Sequence, residues 1–167
     1  TPQILPLIDT AYHPLLPDSA NWEQSTAVLI RFKDNTPLFS EQMAAVFVKP
    51  TGLDFIASQE SRSGKLERKN WTFLLGHDWT VNNWKCSKEK AVNEVLKELA
   101  KVHKPIATEI EYSDVQFWKY AQPINSVSNP QWFPDCKIGF LGEIYNGGRV
   151  EGAFLSAVQL HRNIHQS

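Results

Sequence analysis

Lys137-Ile138-Gly139-Phe140-Leu141-Gly142-Glu143-Ile144-Tyr145-Asn146-Gly147-Gly148-Arg149-Val150-Glu151-Gly152-Ala153-Phe154-Leu155-Ser156 reads as a short apolar strand, a glycine turn carrying an acid, and a helix whose first turn is Arg-Val-Glu-Gly. Glycines let the backbone come close to a ligand and adopt positive φ. The first N–H groups of a helix have no intrahelical acceptor and point beyond its start, where they favour an anionic or electron-rich group. Ordinary α/β packing also uses strand, turn and helix, so the pattern alone leaves both a ligand site and plain packing open.

The helix continues to the end of the chain with Val150, Ala153, Phe154, Ala157 and Leu160 expected on one packed face. His161 and His165 stand four apart, a spacing that can bind metal, but a pair with neither a third ligand nor a carboxylate fits a solvated surface better, so no metal is expected. Upstream, Gln122 to Pro134 is rich in Pro, Asn and Ser and reads as a linker. Before it, Val115 to Ala121 is a strongly aromatic strand and Ile106 to Tyr112 an alternating one. Because strand side chains alternate, Trp118 and Tyr120 are expected on one face, with Phe117 and Lys119 on the other. One of those faces suits a ligand and the other a core.

Further back, Ser87 caps an amphipathic helix in which Val92, Val95, Leu96, Leu99 and Val102 recur at helical spacing, and Pro105 ends it. Thr26 to Phe32, Ala44 to Val48, Leu53 to Ser58 and Trp71 to His77 are strand-like, with Asp34-Asn35 and Pro50-Thr51-Gly52 as turns. Short strands with tight turns favour antiparallel neighbours. The expected fold is α+β: an antiparallel-dominated sheet of about six strands with a packed helix, followed by an appended C-terminal strand and helix.

At 167 residues, with 42% hydrophobic and 21% charged residues, the chain can fold around a core. Its net charge of -1 and lack of a basic block give no sign of electrostatic capture of nucleic acid or an anionic membrane, and neither is expected as a partner. No apolar run approaches the ~18 residues of a spanning helix, and no signal-peptide pattern opens the chain, so a cytoplasmic setting with no membrane partner is expected. Cys86 and Cys136 have no companion at metal-ligand spacing and are expected as free thiols.

Two texts carry a family resemblance. Gly142-Glu143, followed by Gly147-Gly148-Arg149-Val150-Glu151-Gly152-Ala153-Phe154-Leu155-Ser156, closely resembles the C-terminal flavin signature of the renalase-like, amine-oxidase-type FAD oxidoreductases. Trp118-Lys119-Tyr120-Ala121 resembles that family's Trp-Arg-Tyr-Ala strand. The family usually has Asp where this chain has Glu143. The resemblance implies that Gly142, Glu143, Gly148, Arg149, Val150, Glu151 and Gly152 contribute to a flavin site. It also implies that Trp118 and Tyr120 wall a pocket for a small-molecule substrate, an amine or a reduced nicotinamide-type compound. A basic glycine-containing loop of the family would correspond to Arg62-Ser63-Gly64-Lys65, without its proline and with the basic residues exchanged.

No G-x-G-x-x-G occurs among the eight glycines. By the resemblance, residues 1–132 are then a substrate-binding domain and residues 133–167 the returning strand and helix of an FAD-binding domain. The N-terminal FAD-binding half is the missing partner. Such a fragment is expected to hold FAD poorly and to be inactive by itself; no catalytic residue is assigned. The alternative is a free-standing, non-catalytic α+β module that binds a small ligand through its aromatic strand or self-associates through an exposed apolar surface.

Overall fold

Period-two alternation accounts for most of the sheet. In the computed structural model, which describes residues 2–15, 22–39, 43–48, 52–59, 68–103, 106, 108–127 and 131–166, five strands form one sheet. They are β1 (Trp22–Phe32), β2 (Ala45–Phe47), β3 (Leu53–Ser58), β4 (Asn70–Leu75) and β5 (Ile110–Pro123), in the order β2-β3-β4-β1-β5. Adjacent pairs are antiparallel, with Thr26 opposite Leu75 and Arg31 opposite Asn70 across β1 and β4, and with Ile56 opposite Phe73 across β3 and β4. The chain is α+β, with an antiparallel main sheet as its alternation predicts. The loop containing Arg62 and Lys65, the turn residues Pro50 and Thr51, and Pro105 lie outside the described residues.

The main sheet has five strands rather than about six because the two strands expected at Ile106 to Tyr112 and Val115 to Ala121 are one, β5. Ser113 sits half-buried between Tyr112 and Asp114 and keeps the alternation going. The Asp114 carboxylate accepts the Val115 N–H at 2.9 Å, so a text that resembles a turn satisfies its polar group within an extended strand.

Two compact units divide the chain, residues 24–118 and residues 1–23 with 119–167. The first holds the main core. Val28, Ile30 and Phe32 of β1, Leu53 and Ile56 of β3, and Trp71, Phe73 and Leu75 of β4 are buried together. Helix α1 (His77–Asn82) follows β4, and its buried Thr80 hydroxyl meets the Thr26 hydroxyl of β1 at 3.0 Å. Helix α2 (Lys88–Leu99) starts where the Ser87 hydroxyl accepts the Lys90 N–H, and it buries Ala91, Val92, Val95 and Leu99 in the same core. On its outer side Lys97 pairs with Glu94 at 2.9 Å.

Two charged residues in this unit are buried, Arg68 and Glu98. Glu98 is 3% exposed; it accepts the Gly52 N–H at 2.7 Å and pairs with Lys101. Burial by itself would raise its carboxyl. The bonds from Lys101 and Gly52, with the charges of Lys101 and Lys97, outweigh that and hold it below the usual glutamate value.

In the other unit a two-stranded antiparallel ribbon, β6 (Gln131–Phe133) and β7 (Ile138–Phe140), replaces part of the expected linker. Lys137 turns the ribbon in a left-handed conformation, φ 53. Helix α3 (Val150–Gln166) ends the described chain. Its packed face matches the expected one in part: Leu160 is buried and Ala153 and Ala157 are half-buried, but Gly152 and Ser156 are buried too, whereas Val150 is 90% and Phe154 66% exposed. At the start of the helix, close backbone approach rather than side-chain hydrophobicity selects that face. A methyl added at Gly152 would lie 2.7 Å from the Asn146 carbonyl oxygen. No helix among the described residues is long and apolar enough to cross a membrane.

Candidate functional site

The glycine turn and the start of α3 form one side of an open cleft of about 330 Å³, lined by Trp22, Leu141, Gly142, Glu143, Ile144, Val150 and Ala153. All seven belong to the unit of residues 1–23 and 119–167. Its volume is near the lower end of the ~300–1,000 Å³ usual for small-molecule sites, enough for part of a large cofactor.

The turn is held from several directions. Tyr145 N–H bonds to the Gly142 carbonyl at 3.1 Å, Gly148 N–H to the Glu143 carbonyl at 2.8 Å, and Val127 N–H to the Ile144 carbonyl at 2.8 Å. Gly142, Gly147 and Gly148 have positive φ, as their place in the turn requires. Beside Gly142, a side chain would meet nothing within 4 Å, so that glycine opens onto free space in the cleft wall. The Gly142 N–H is not free, because it donates to the Ser156 hydroxyl at 3.0 Å.

Helix α3 supplies the unused donors. Ala153 N–H is the first to bond back, to the Arg149 carbonyl at 2.9 Å, and no acceptor meets the N–H groups of Val150, Glu151 or Gly152 among the described residues. A helix of this length carries roughly half a unit of positive charge at that end. Free donors, an open glycine wall and the Glu143 carboxyl group fit a ligand edge that combines hydrogen-bond acceptors with a hydroxyl. A flavin and its sugar-like chain have both, so the residues fit the cofactor that the resemblance implies.

The expected residues do not all reach the cleft. Gly142, Glu143 and Val150 line it; Gly148, Arg149, Glu151 and Gly152 do not. Gly152 is buried against the turn, and Arg149 and Glu151 are exposed. Trp118 and Tyr120 have different surroundings. Regular alternation runs from Ser113 to Trp118, but Trp118 and Lys119 are both exposed, which shifts the pattern by one and leaves Tyr120 half-buried. Tyr120 packs edge-on to Trp22, ring centres 6.1 Å apart, with the Lys119 ammonium 5.3 Å from its own ring centre. Phe117 packs on Trp84 at 5.5 Å.

Trp22, Leu141, Ile144 and Ala153 line the cleft without having been expected as site residues, and of these Trp22 lies outside the run of residues 137–156. Extending the alternation Phe32, Ile30, Val28, Thr26 backward by two more steps leads to Gln24 and Trp22, so a strand drawn to its full length would have included it.

Tyr145, within the turn, is 1% exposed, and its hydroxyl has no partner among the described residues; the Trp132 indole N–H is likewise buried and unpaired among them. Burial pushes the Tyr145 phenol up. His161 and His165 are exposed with ring centres 4.4 Å apart, and no group of three metal-ligating side chains occurs among the described residues. Cys86 and Cys136 are half-buried free thiols.

No protein-family model matches this chain, and no curated protein matches its sequence. Function therefore rests on the cleft and on the texts that form it.

Proposed function

We propose that this chain is part of an FAD-dependent oxidoreductase resembling renalase and the amine-oxidase-type flavoproteins, carrying its substrate-binding region and the returning strand and helix of its cofactor domain. The observation that carries this reading is the coincidence of the Gly142-Glu143…Gly147–Ser156 text with an open cleft at the start of α3. FAD, when bound, would accept hydride from an amine or a reduced nicotinamide-type substrate. The chain's own residues orient and stabilise. Free N–H groups at the start of α3 favour negative charge beside them. Gly142 lets a ring or sugar come against backbone, and Glu143 accepts from a hydroxyl. Trp118 and Tyr120 belong to this reading as substrate contacts, and a cytoplasmic setting belongs to it on the sequence's ordinary composition.

Pyrophosphate recognition by a first βα turn cannot be replaced by α3 alone, so the N-terminal FAD-binding half is the partner this chain needs. Purification of this chain alone is expected to give a colourless protein, and of the intact gene product a yellow one that releases FAD on denaturation. A flavin absorbance band in the isolated chain would overturn the division of labour. An intact product without flavin would overturn the family reading.

The exposed side of α3 favours a second reading. Val150, Phe154, Leu155 and Ile164 are all at least 40% exposed on it, and such a surface suits self-association of a free-standing, non-catalytic module. Sedimentation across a concentration series separates the readings, because a self-associating module forms dimers without flavin or a second polypeptide.

A further inference from the structure

We infer that Ser156 is a positioning residue of the cleft: its hydroxyl ties the glycine turn to α3 and so fixes the cleft wall against the helix's free N–H groups. Two distances carry this. Ser156 Oγ accepts the Gly142 N–H at 3.0 Å and donates to the Ala153 carbonyl at 2.7 Å. Its single proton is committed to Ala153, and the side chain is completely buried, so it cannot itself touch a ligand. This hydrogen bond joins turn 141–148 to α3.

Both ends of the bridge lie on the cleft. Gly142 and Ala153 are lining residues on opposite components, one on the turn and one on the helix. Gly152, one helical turn before Ser156 on the same face, makes the approach possible by having no side chain where the Asn146 carbonyl passes. Gly152 therefore sets how close the helix comes, and Ser156 sets where along the turn it stops. With the Gly142 N–H consumed, a ligand in the cleft meets Gly142 as bare backbone, and the helix-start residue that lines the cleft with a free N–H is Val150. Any affinity that depends on the spacing between those groups passes through Ser156.

The positioning role rests on the cleft being the ligand site; the bond itself does not. Amide hydrogen exchange on the whole chain, with Ser156→Ala and Ser156→Thr, tests the tether. In Ser156→Ala the Gly142 amide is expected to exchange about tenfold faster, the equivalent of one net hydrogen bond, while the Ile30 and Phe73 amides of the main sheet keep their wild-type rates. Ser156→Thr retains the hydroxyl and is expected to restore most of the protection. Unchanged Gly142 exchange in Ser156→Ala overturns the inference, and so does a uniform rise at Gly142, Ile30 and Phe73, which would make Ser156 a general stability residue.

A second arm uses millimolar riboflavin 5′-phosphate as the probe and reads the amide shifts of Val150, Glu151 and Gly152. Wild type is expected to show saturable shifts, and Ser156→Ala to need several-fold more probe for the same response. Equal response in both overturns the positioning role. No response in wild type overturns the positioning role, because the cleft then takes no flavin headgroup in this chain, while the yellow or colourless intact product decides the family reading and the exchange result decides the tether.

Discussion

The main sheet and the start of α3 are both closely packed, but by different means. In the sheet unit, Phe73, Leu75, Val28 and Ile56 are completely buried and meet other apolar side chains. Around α3, contact is made by Gly152 against a carbonyl and by Ser156 through its hydroxyl, while Val150 and Phe154 face outward. A core of large side chains resists change through volume. A junction of glycine, hydroxyl and backbone resists it through distance, and its tolerance is a few tenths of an ångström. Scaffolding suits the first arrangement and a cleft wall the second.

Substitutions can break or sharpen that contrast. The largest effect is expected in the sheet unit, where Phe73→Ala removes a completely buried ring and should cost about 3–5 kcal/mol in urea unfolding. Next comes Gly152→Ala. Alanine improves helix propensity by about 1 kcal/mol, but a methyl 2.7 Å from the Asn146 oxygen forces α3 off the turn. Overpacking of that kind costs about 1–3 kcal/mol. Net destabilisation is expected in thermal melts, with lost amide protection concentrated at residues 142–156. An unaltered melt and exchange pattern would mean that the junction is looser than the sheet core.

Acid tests the buried Glu98 carboxylate of the sheet unit. Glu98 is held below its ordinary value of 4.5 in the folded chain. Its contribution is therefore fully present above that value and is lost as pH falls through the lowered one. Melting temperature should drop over that interval in wild type, and Glu98→Gln should flatten the drop. A smaller effect of opposite sign is expected at the junction. Tyr145→Phe removes a buried hydroxyl that has no partner among the described residues and should leave stability unchanged or raise it by about 1 kcal/mol. A loss in chemical denaturation would show that a water or ligand bonds the phenol. The smallest change is expected from Phe154→Ser, on an exposed side chain. Its stability should stay within about 0.5 kcal/mol of wild type, and any self-association measured by sedimentation should weaken.

The same contrast explains what the sequence could reveal. β1, β3 and β4 were legible because their core-facing residues alternate, and α2 because Val92, Val95 and Leu99 repeat at helical spacing after a serine cap. The run from Gly142 to Ser156 was legible as a turn and helix start, and the cleft lies there. The packed face of α3 was legible only in part. Hydrophobic spacing found Leu160, Ala153 and Ala157 but also pointed to Val150 and Phe154; at the helix start the face is chosen by a hydroxyl–amide bond and a missing side chain, neither of which carries a hydropathy signal. Arg149, Glu151 and Gly148 lie next to the cleft in sequence but outside its lining, because successive residues of a helix start point in different directions. β6 was hidden for a simpler reason: three residues are too few to show a period.

Trp71 gives the chain an internal optical gauge. Its ring is 1% exposed and its indole N–H is shared between the Thr36 and Arg68 carbonyls at 3.1 and 3.3 Å. An indole so enclosed emits at short wavelength and is shielded from a quencher such as acrylamide, whereas Trp118, 52% exposed, is open to it. Selective quenching thus separates light from the interior of the sheet from light from its aromatic edge. Opening of the core can then be followed without attaching a label.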